Sequence, residues 1–181
     1  MFVYLFALVP SGLGMTVISM WQMTGFSLQM GTGPIITSGV LQGFGLGFVF
    51  TPLSIVTFST LPRHIMTQGT AIFSLMRNIG GSIGISIVVA LLAENTQTVH
   101  SRLIENLRPD NPLARAPFLG PNFSLTTEAG IAALNAEATR QAAMVAYLDD
   151  FKLMMIIIIV AAPLILLLRK PRPRAAVAAA E

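Results

Sequence analysis

The sequence contains no cysteine, and only 10% of its 181 residues are charged. Without cysteine, the chain cannot form a disulfide framework or a thiolate metal site. The charged fraction is far below the roughly 25% that is typical of soluble globular domains. Hydrophobic residues make up 54% of the chain, and the mean hydropathy is +0.73. This composition excludes an ordinary soluble domain and predicts an integral membrane protein.

Catalytic groups are also scarce. The sequence has only two histidines, His64 and His100, and both are predicted to lie in solvated loops. No nucleophile with a base, metal-ligand cluster or phosphate-binding loop can be recognised. We therefore predict no enzyme activity, no cofactor and no metal. The formal net charge of +3 is small, and a basic tail beside a membrane explains it better than nucleic-acid binding does.

Four apolar segments are present, at about 2–22, 34–59, 67–93 and 151–168. About 20 helical residues, rising ~1.5 Å each, cross a hydrocarbon core of ~30 Å. Each segment is close to this length or longer, so we predict four transmembrane helices in an all-α fold. The links between the first three are short, which makes these three an antiparallel cluster.

A polar segment, 94–150, separates the third and fourth apolar segments and holds seven of the eight acidic residues. Its middle is rich in proline and predicts irregular structure. From about 126 to 148 an amphipathic helix is predicted, capped by Thr126 or Thr127. The apolar residues that recur at helical spacing are Ile131, Leu134, Ala138, Val145 and Leu148.

Orientation is predicted from the basic tail, 169–181, whose first residues read RKPRPR. Basic residues at a membrane edge favour the cytoplasmic side. Four spans then place both termini in the cytoplasm and the loop 94–150, with its amphipathic helix, outside. The predicted location is the cytoplasmic (inner) membrane of the cell, with the lipid bilayer as partner.

Small residues form rows along two of the predicted spans. Glycine rows let helices approach closely, which matters because lipid gives no hydrophobic drive for association. We predict that these rows pack helices together, with a hinge or pore-lining role as the alternative. Pro52 is expected to kink the second span. The predicted packing residues are Gly39, Gly43 and Gly47 in the second span and Gly80, Ser82 and Gly84 in the third.

Arg77 lies well inside the third span. A charge at that depth costs roughly 2.5 to 3.5 kcal/mol, so it normally faces a protein interior or a water-filled path. The sequence offers it no carboxylate within a span. Arg77 is predicted either to lock helices together through a partner elsewhere or to contact substrate or protons, and Asn78 and Gln42 are either interhelical hydrogen-bonding groups or ligand contacts.

Two runs carry a family resemblance: LQGFGLGFVFTPLSIVTFSTLP (Leu41 to Pro62) and LMRNIGGSIGISI (Leu75 to Ile87). In this order they closely resemble the last third of the fourteen-helix drug:proton antiporters, the EmrB/QacA-type branch of the major facilitator superfamily. The run QAAMVAYLDDF (Gln141 to Phe151) is similar to the same branch. Arg77 matches the arginine of the family pattern R-x-x-G-x-S-x-G.

This resemblance implies a C-terminal fragment that supplies the last four helices of a bundle with two rocking halves and a central site. Members export lipophilic, toxic compounds in exchange for protons. Their loop signature, antiporter motif and proton-coupling carboxylates would lie in missing N-terminal helices. The function predicted is therefore a piece of a proton-driven multidrug exporter. The alternatives are a small non-transporting subunit that stabilises or regulates a partner, and a non-functional truncated gene product.

Overall fold

The computed structural model describes residues 2–59, 61–105 and 127–166. In these ranges the chain is helical with short connections and contains no strand, so the all-α prediction is confirmed there. The four long helices are α1 (Phe2–Met23), α2 (Thr32–Ser59), α3 (Met66–Glu105) and α4 (Glu128–Leu166). A short 3-10 turn, Arg63–Ile65, leads into α3. The basic tail 169–181 and the proline-rich part of the loop lie outside the described residues.

Two helices extend further than the apolar segments. Helix α3 continues past 93 to Glu105, and α4 joins the predicted amphipathic helix and the last apolar segment into one helix. The sequence explains this, because no glycine or proline interrupts 85–108 or 131–162. The Thr127 hydroxyl accepts a hydrogen bond from the backbone N–H of Gly130 at 3.1 Å, which confirms Thr127 as the cap of α4.

The helices associate as two pairs, α1 with α2 and α3 with α4. Helices α1 and α2 are antiparallel, because Gly12 lies against Gly45 and Ser19 against Ser38. Helix α1 also packs on α4 and so joins the pairs. The α1–α4 contact is antiparallel, since Phe26, just after α1, lies against Phe151 at 6.3 Å between ring centroids and Pro10 lines one cavity with Pro163. Helix α3, which is antiparallel to α2, therefore also runs antiparallel to α4. Helices α2 and α3 touch much less, and the contacts described between them lie near their connection.

Most of the apolar surface is not covered by the chain itself. Among the described residues, α3 buries none, and Ile72, Ile83 and Ile85 are 60%, 56% and 68% exposed. Thr32–Ser59 and Arg63–Glu105 are long and apolar enough to cross a membrane. A helix that is apolar all round needs lipid or other helices around it. The described helices therefore present apolar faces that suit lipid or other helices.

Candidate functional site

Arg77 is held against an aromatic ring on the neighbouring helix. Its guanidinium carbon lies 5.3 Å from the centroid of the Phe50 ring, within the range of a cation–π interaction. Arg77 is otherwise exposed. The ion pairs among the described residues are formed elsewhere, by Arg140 with Glu137 and by Lys152 with Asp149. No described carboxylate neutralises Arg77, so its charge is set in an apolar surface with an aromatic ring beside it.

The other two polar residues predicted for this site are placed differently. Asn78 follows Arg77 on α3 and is exposed, whereas Gln42 is half-buried on α2. Gln42 is eight residues from Phe50 on the same helix, or roughly 12 Å along its axis. The structure therefore brings Phe50, not Gln42, to the arginine. The sequence contains a signal for this contact. Helices α2 and α3 form an antiparallel hairpin with its turn near Pro62, so Phe50 and Arg77 lie at similar distances from the turn.

The α2–α3 contact opens beyond Arg77. Phe58 and Phe73 pack edge to face at 5.3 Å near the connection, and the Phe50–Arg77 contact lies two turns further along α2. Further from the connection, the helical period places the predicted glycine row of α2 on the face that carries Phe50, and that of α3 on the face that carries Arg77. A side chain added at any of these glycines would meet nothing within 4 Å: Gly39, Gly43, Gly47, Gly80 and Gly84.

The two remaining predicted residues on these helices, Ser82 and Pro52, face different surroundings. Ser82 is exposed, and its carbonyl accepts a hydrogen bond from the Ser86 hydroxyl at 2.8 Å within α3. Pro52 is buried, and α2 continues through it from Thr32 to Ser59. Pro52 is seven residues from Gly45, so it lies on the face of α2 that meets α1.

A close contact between α1 and α2 involves two glycines that were not predicted as packing residues, Gly12 and Gly45. A Cβ added at Gly12 would lie 2.7 Å from the carbonyl oxygen of Gly45. A Cβ added at Gly45 would lie 2.8 Å from the carbonyl oxygen of Gly12. Only glycine allows this approach of α1 to α2. The buried Ser19 hydroxyl donates to the Ser38 carbonyl at 2.7 Å. The signal was the small-residue spacing of Gly12, Thr16 and Ser19 in α1.

Helix α4 buries a regular row of residues that also differs from the predicted one. Every fourth residue is buried, in the order Gly130, Leu134, Ala138, Ala142, Ala146 and Asp150. Ile131 and Val145, predicted on the apolar face, are 50% and 40% exposed. The expectation failed for these two because small residues bring helices closer than branched ones do, so the contact settled on the alanine row.

Asp150 ends this row and has no partner. It is 3% exposed, and neither carboxylate oxygen has a hydrogen-bond partner in the described part of the chain. Its neighbour Asp149 is exposed and pairs with Lys152 at 3.0 Å. Burial raises the pKa of the Asp150 carboxyl above its ordinary value, and the charge of Asp149 adds to this rise. Both aspartates lie just before the last predicted span, and the sequence pattern did not predict the difference between them.

The remaining candidate groups in the described ranges are possible metal ligands and His100. These ranges contain no group of three or more histidine, cysteine, aspartate or glutamate residues able to hold a metal ion. His100, predicted in a loop, lies on α3, and its Nε2 is 3.0 Å from Oδ1 of Asn135 on α4. This hydrogen bond fixes the level of α3 against α4.

Comparison with known proteins gives several similar sequences. The multidrug export protein EmrB of Haemophilus influenzae is 26% identical over 134 residues, covering 74% of this chain and 26% of the relative. EmrB of Escherichia coli K12 is 30% identical over 98 residues, covering 54% and 19%. The multidrug resistance protein B homolog of Mycobacterium tuberculosis is 30% identical over 132 residues, covering 70% and 23%. The chain resembles part of an EmrB-type multidrug transporter.

The EmrB-type resemblance predicted from the sequence is confirmed by these relatives. The chain spans about a quarter or less of the length of the EmrB-type relatives it matches. No protein-family model and no solved structure matches the chain. The two runs that suggested the EmrB type, 41–62 and 75–87, lie in the α2–α3 hairpin. The Phe50–Arg77 contact thus lies within the part of the chain that carries the resemblance.

Proposed function

We propose that this chain is the C-terminal part of a proton-coupled exporter of lipophilic, toxic compounds that works by alternating access. The observation that carries the proposal is the exposed, apolar α2–α3 hairpin with an uncompensated arginine, in a chain similar to multidrug export proteins. A surface of this kind is stable only among lipids or other helices. The remaining helices of the exporter would supply the other wall of the transport site.

In this proposal α1 to α4 each cross the cytoplasmic membrane. Helix α3 has 40 residues, so it is about 60 Å long, whereas the hydrocarbon core is about 30 Å thick. The polar halves of α3 and α4, 94–105 and 128–150, would therefore project from the membrane together. They would lie on the outer side of the cytoplasmic membrane, and the basic tail 169–181 would lie in the cytoplasm.

The open glycine rows receive a packing role in this proposal. A Cβ at any of these glycines would meet nothing within 4 Å among the described residues, although each row continues the helix face that carries Phe50 or Arg77. Helices of the rest of the exporter would approach there, on Gly39, Gly43, Gly47, Gly80, Ser82 and Gly84. A kink at Pro52 would aim the end of α2, because proline cannot donate to the carbonyl of Phe48.

Arg77 is proposed to face the substrate or proton pathway, with Asn78 and Gln42 on the same route. An exposed cation in an apolar surface is expensive unless a charge, a dipole or water reaches it. Phe50 supplies part of this compensation through its ring face. The remainder would come from groups of the missing helices or from water in the pathway.

The test is dye efflux by the full-length protein with Arg77→Ala, measured together with protein abundance in the membrane. We expect efflux to be lost while abundance is kept, and Arg77→Lys to restore part of it because the charge returns. The matched control is Arg63→Ala, which removes an exposed arginine from the short connection before α3. Unchanged efflux at unchanged abundance would contradict the pathway role.

The four-span arrangement has its own test. Because this chain has no cysteine, single cysteines can be introduced by Thr98→Cys and Arg63→Cys after any cysteines elsewhere in the full-length protein are replaced. A membrane-impermeant thiol reagent added to intact cells should label position 98 and leave position 63 unlabelled. Labelling of both positions, or of position 63 alone, would contradict the arrangement.

A further inference from the structure

We propose that Asp150 is a proton-binding carboxyl group of the exporter, neutral while α4 is packed and ionised when the helices around it separate. This inference rests on the proposed function for its role in proton coupling. The binding of the proton itself is argued from the burial and contacts of Asp150 alone.

The position of Asp150 separates it from the other described carboxylates. It is 3% exposed and completes a row in which the preceding members are apolar or glycine. Both of its oxygens lack hydrogen-bond partners. An ionised carboxylate buried without a partner is far more costly than a neutral carboxyl group, so such a group gives up its charge by binding a proton.

Within the described residues, the elements packed against α4 bring no counter-charge to this level. Helix α1 and the connection 24–31 contain no charged residue. Helix α3 has none between Arg77 and Glu94. The His100–Asn135 contact puts Glu94 about nine residues above Asp150, or roughly 13 Å along the helix. His100 and Arg102 lie further in the same direction.

On α4 itself the charged residues are already paired or carry the same sign. Lys152 is bound to Asp149 at 3.0 Å, and Arg140 is bound to Glu137 at 3.0 Å. Asp149 carries the charge nearest in sequence to Asp150 and is negative, which opposes a second negative charge. A proton is therefore the partner that the described surroundings favour for Asp150.

The location also suggests how the proton is released. Asp150 lies where the part of α4 that meets α3 passes into the part that meets α1, next to the Phe26–Phe151 contact. If α4 moves away from the end of α1, water reaches the carboxyl group, and the proton passes from the carboxyl oxygen to water. The pKa of Asp150 falls toward its ordinary value once the group is solvated, because burial is the main cause of the rise. Separation of the helices and loss of the proton are thus coupled.

The sign of this coupling fixes a pH dependence. The packed state holds the proton at pH values where the separated state has lost it, so packing of α4 is favoured at lower pH. The stabilisation falls as pH rises from the ordinary pKa of an aspartate through the raised pKa of Asp150. Asp150→Asn, which is neutral at every pH, should remove this dependence.

The experiment is carbodiimide labelling of the full-length protein in membrane vesicles, mapped by mass spectrometry across a pH series. Dicyclohexylcarbodiimide adds to a protonated carboxyl group in an apolar site and leaves an N-acylurea of the combined mass. We expect Asp150 to be labelled up to a higher pH than Asp149 or Glu94, and Asp150→Asn to lose that adduct. Absence of labelling at every pH, or a pH profile equal to that of Asp149, would overturn the proposal.

A second readout separates the proton site from the exporter function. Efflux of a lipophilic dye should lose part of its pH dependence in Asp150→Asn and keep it in the control Glu94→Gln, which changes an exposed carboxylate of α3. Labelling without any efflux by the unaltered protein would overturn the proposed function and the coupling role together, leaving the proton site. Efflux whose pH profile is the same in Asp150→Asn would overturn the coupling role and leave the proposed function.

Discussion

Gly45 and Gly47 lie two residues apart on α2 and have opposite surroundings. A Cβ at Gly45 would be 2.5 Å from the hydroxyl of Thr16 and 2.8 Å from the backbone oxygen of Gly12, whereas one at Gly47 would meet nothing within 4 Å. Both glycines leave a groove in the helix. The first groove is filled by α1, and the second is open in this chain.

The difference teaches what a glycine row does and does not specify. A row predicts that something comes close to the helix, but the identity of the neighbour depends on the faces that other helices present. In α1 the small residues Gly12, Thr16 and Ser19 present such a face to Gly45 and Ser38. The row at Gly39, Gly43 and Gly47 has the shape for a neighbour, and the described chain supplies none.

The largest effect is expected for Gly45→Ala. The added methyl would press on the backbone of Gly12, so α1 and α2 would have to move apart, at a cost of roughly 1–3 kcal/mol. The measurement is the free energy of unfolding of the full-length protein in a denaturing-detergent titration.

The counterpart of that change on the open row is Gly47→Ala, and its result sharpens the comparison. A negligible cost would mean that the open row faces lipid or a cavity in the exporter. A cost similar to that of Gly45→Ala would mean that a helix from the rest of the protein occupies the row, as proposed above. Gly45→Ala without any loss of stability would contradict the described α1–α2 contact.

A smaller effect is expected for Ser19→Ala. This change removes the hydroxyl that donates to the Ser38 carbonyl across the helix pair. Hydrogen bonds between membrane helices contribute about 0.6 kcal/mol on average and up to about 1.7. The same detergent titration measures the loss. Ser38→Ala is the control, because the Ser38 hydroxyl bonds to Pro34 and Ile35 within its own helix, and an equal loss there would contradict the assignment.

The smallest effect is expected for Phe50→Leu, on the open side of α2. It removes the ring beneath Arg77 but keeps most of the apolar volume, and an exposed cation–π contact is worth about 0.5–1 kcal/mol. We expect a small loss of stability and reduced dye efflux. Phe44→Leu is a suitable control, since Phe44 is an exposed phenylalanine of α2 whose described ring contact is with Phe48. Equal effects of both changes would argue against a special role of the Arg77 contact.

Long apolar segments predicted the helices well. The prediction was less accurate for polar segments, which were assigned to a loop because of their composition. Residues 94–105 are polar and were assigned to the loop, yet nothing among them breaks a helix, so α3 continues. Arg77 was recognised from its depth in an apolar segment. The role of Phe50 was not predicted, because it depends on the level at which α2 and α3 meet. Asp150 was missed because its burial depends on the alanine row before it, which brings neighbouring helices close.

The unbroken course of α4 has a mechanical consequence. No glycine or proline lies between Gly130 and Pro163, and kinks in helices are almost always caused by such residues or by a local insertion. The part of α4 beside α1 and the part beside α3 therefore move together as one stiff helix. A tilt imposed on the part beside α1 is therefore carried to the part beside α3, and Asp150 lies between these two contacts.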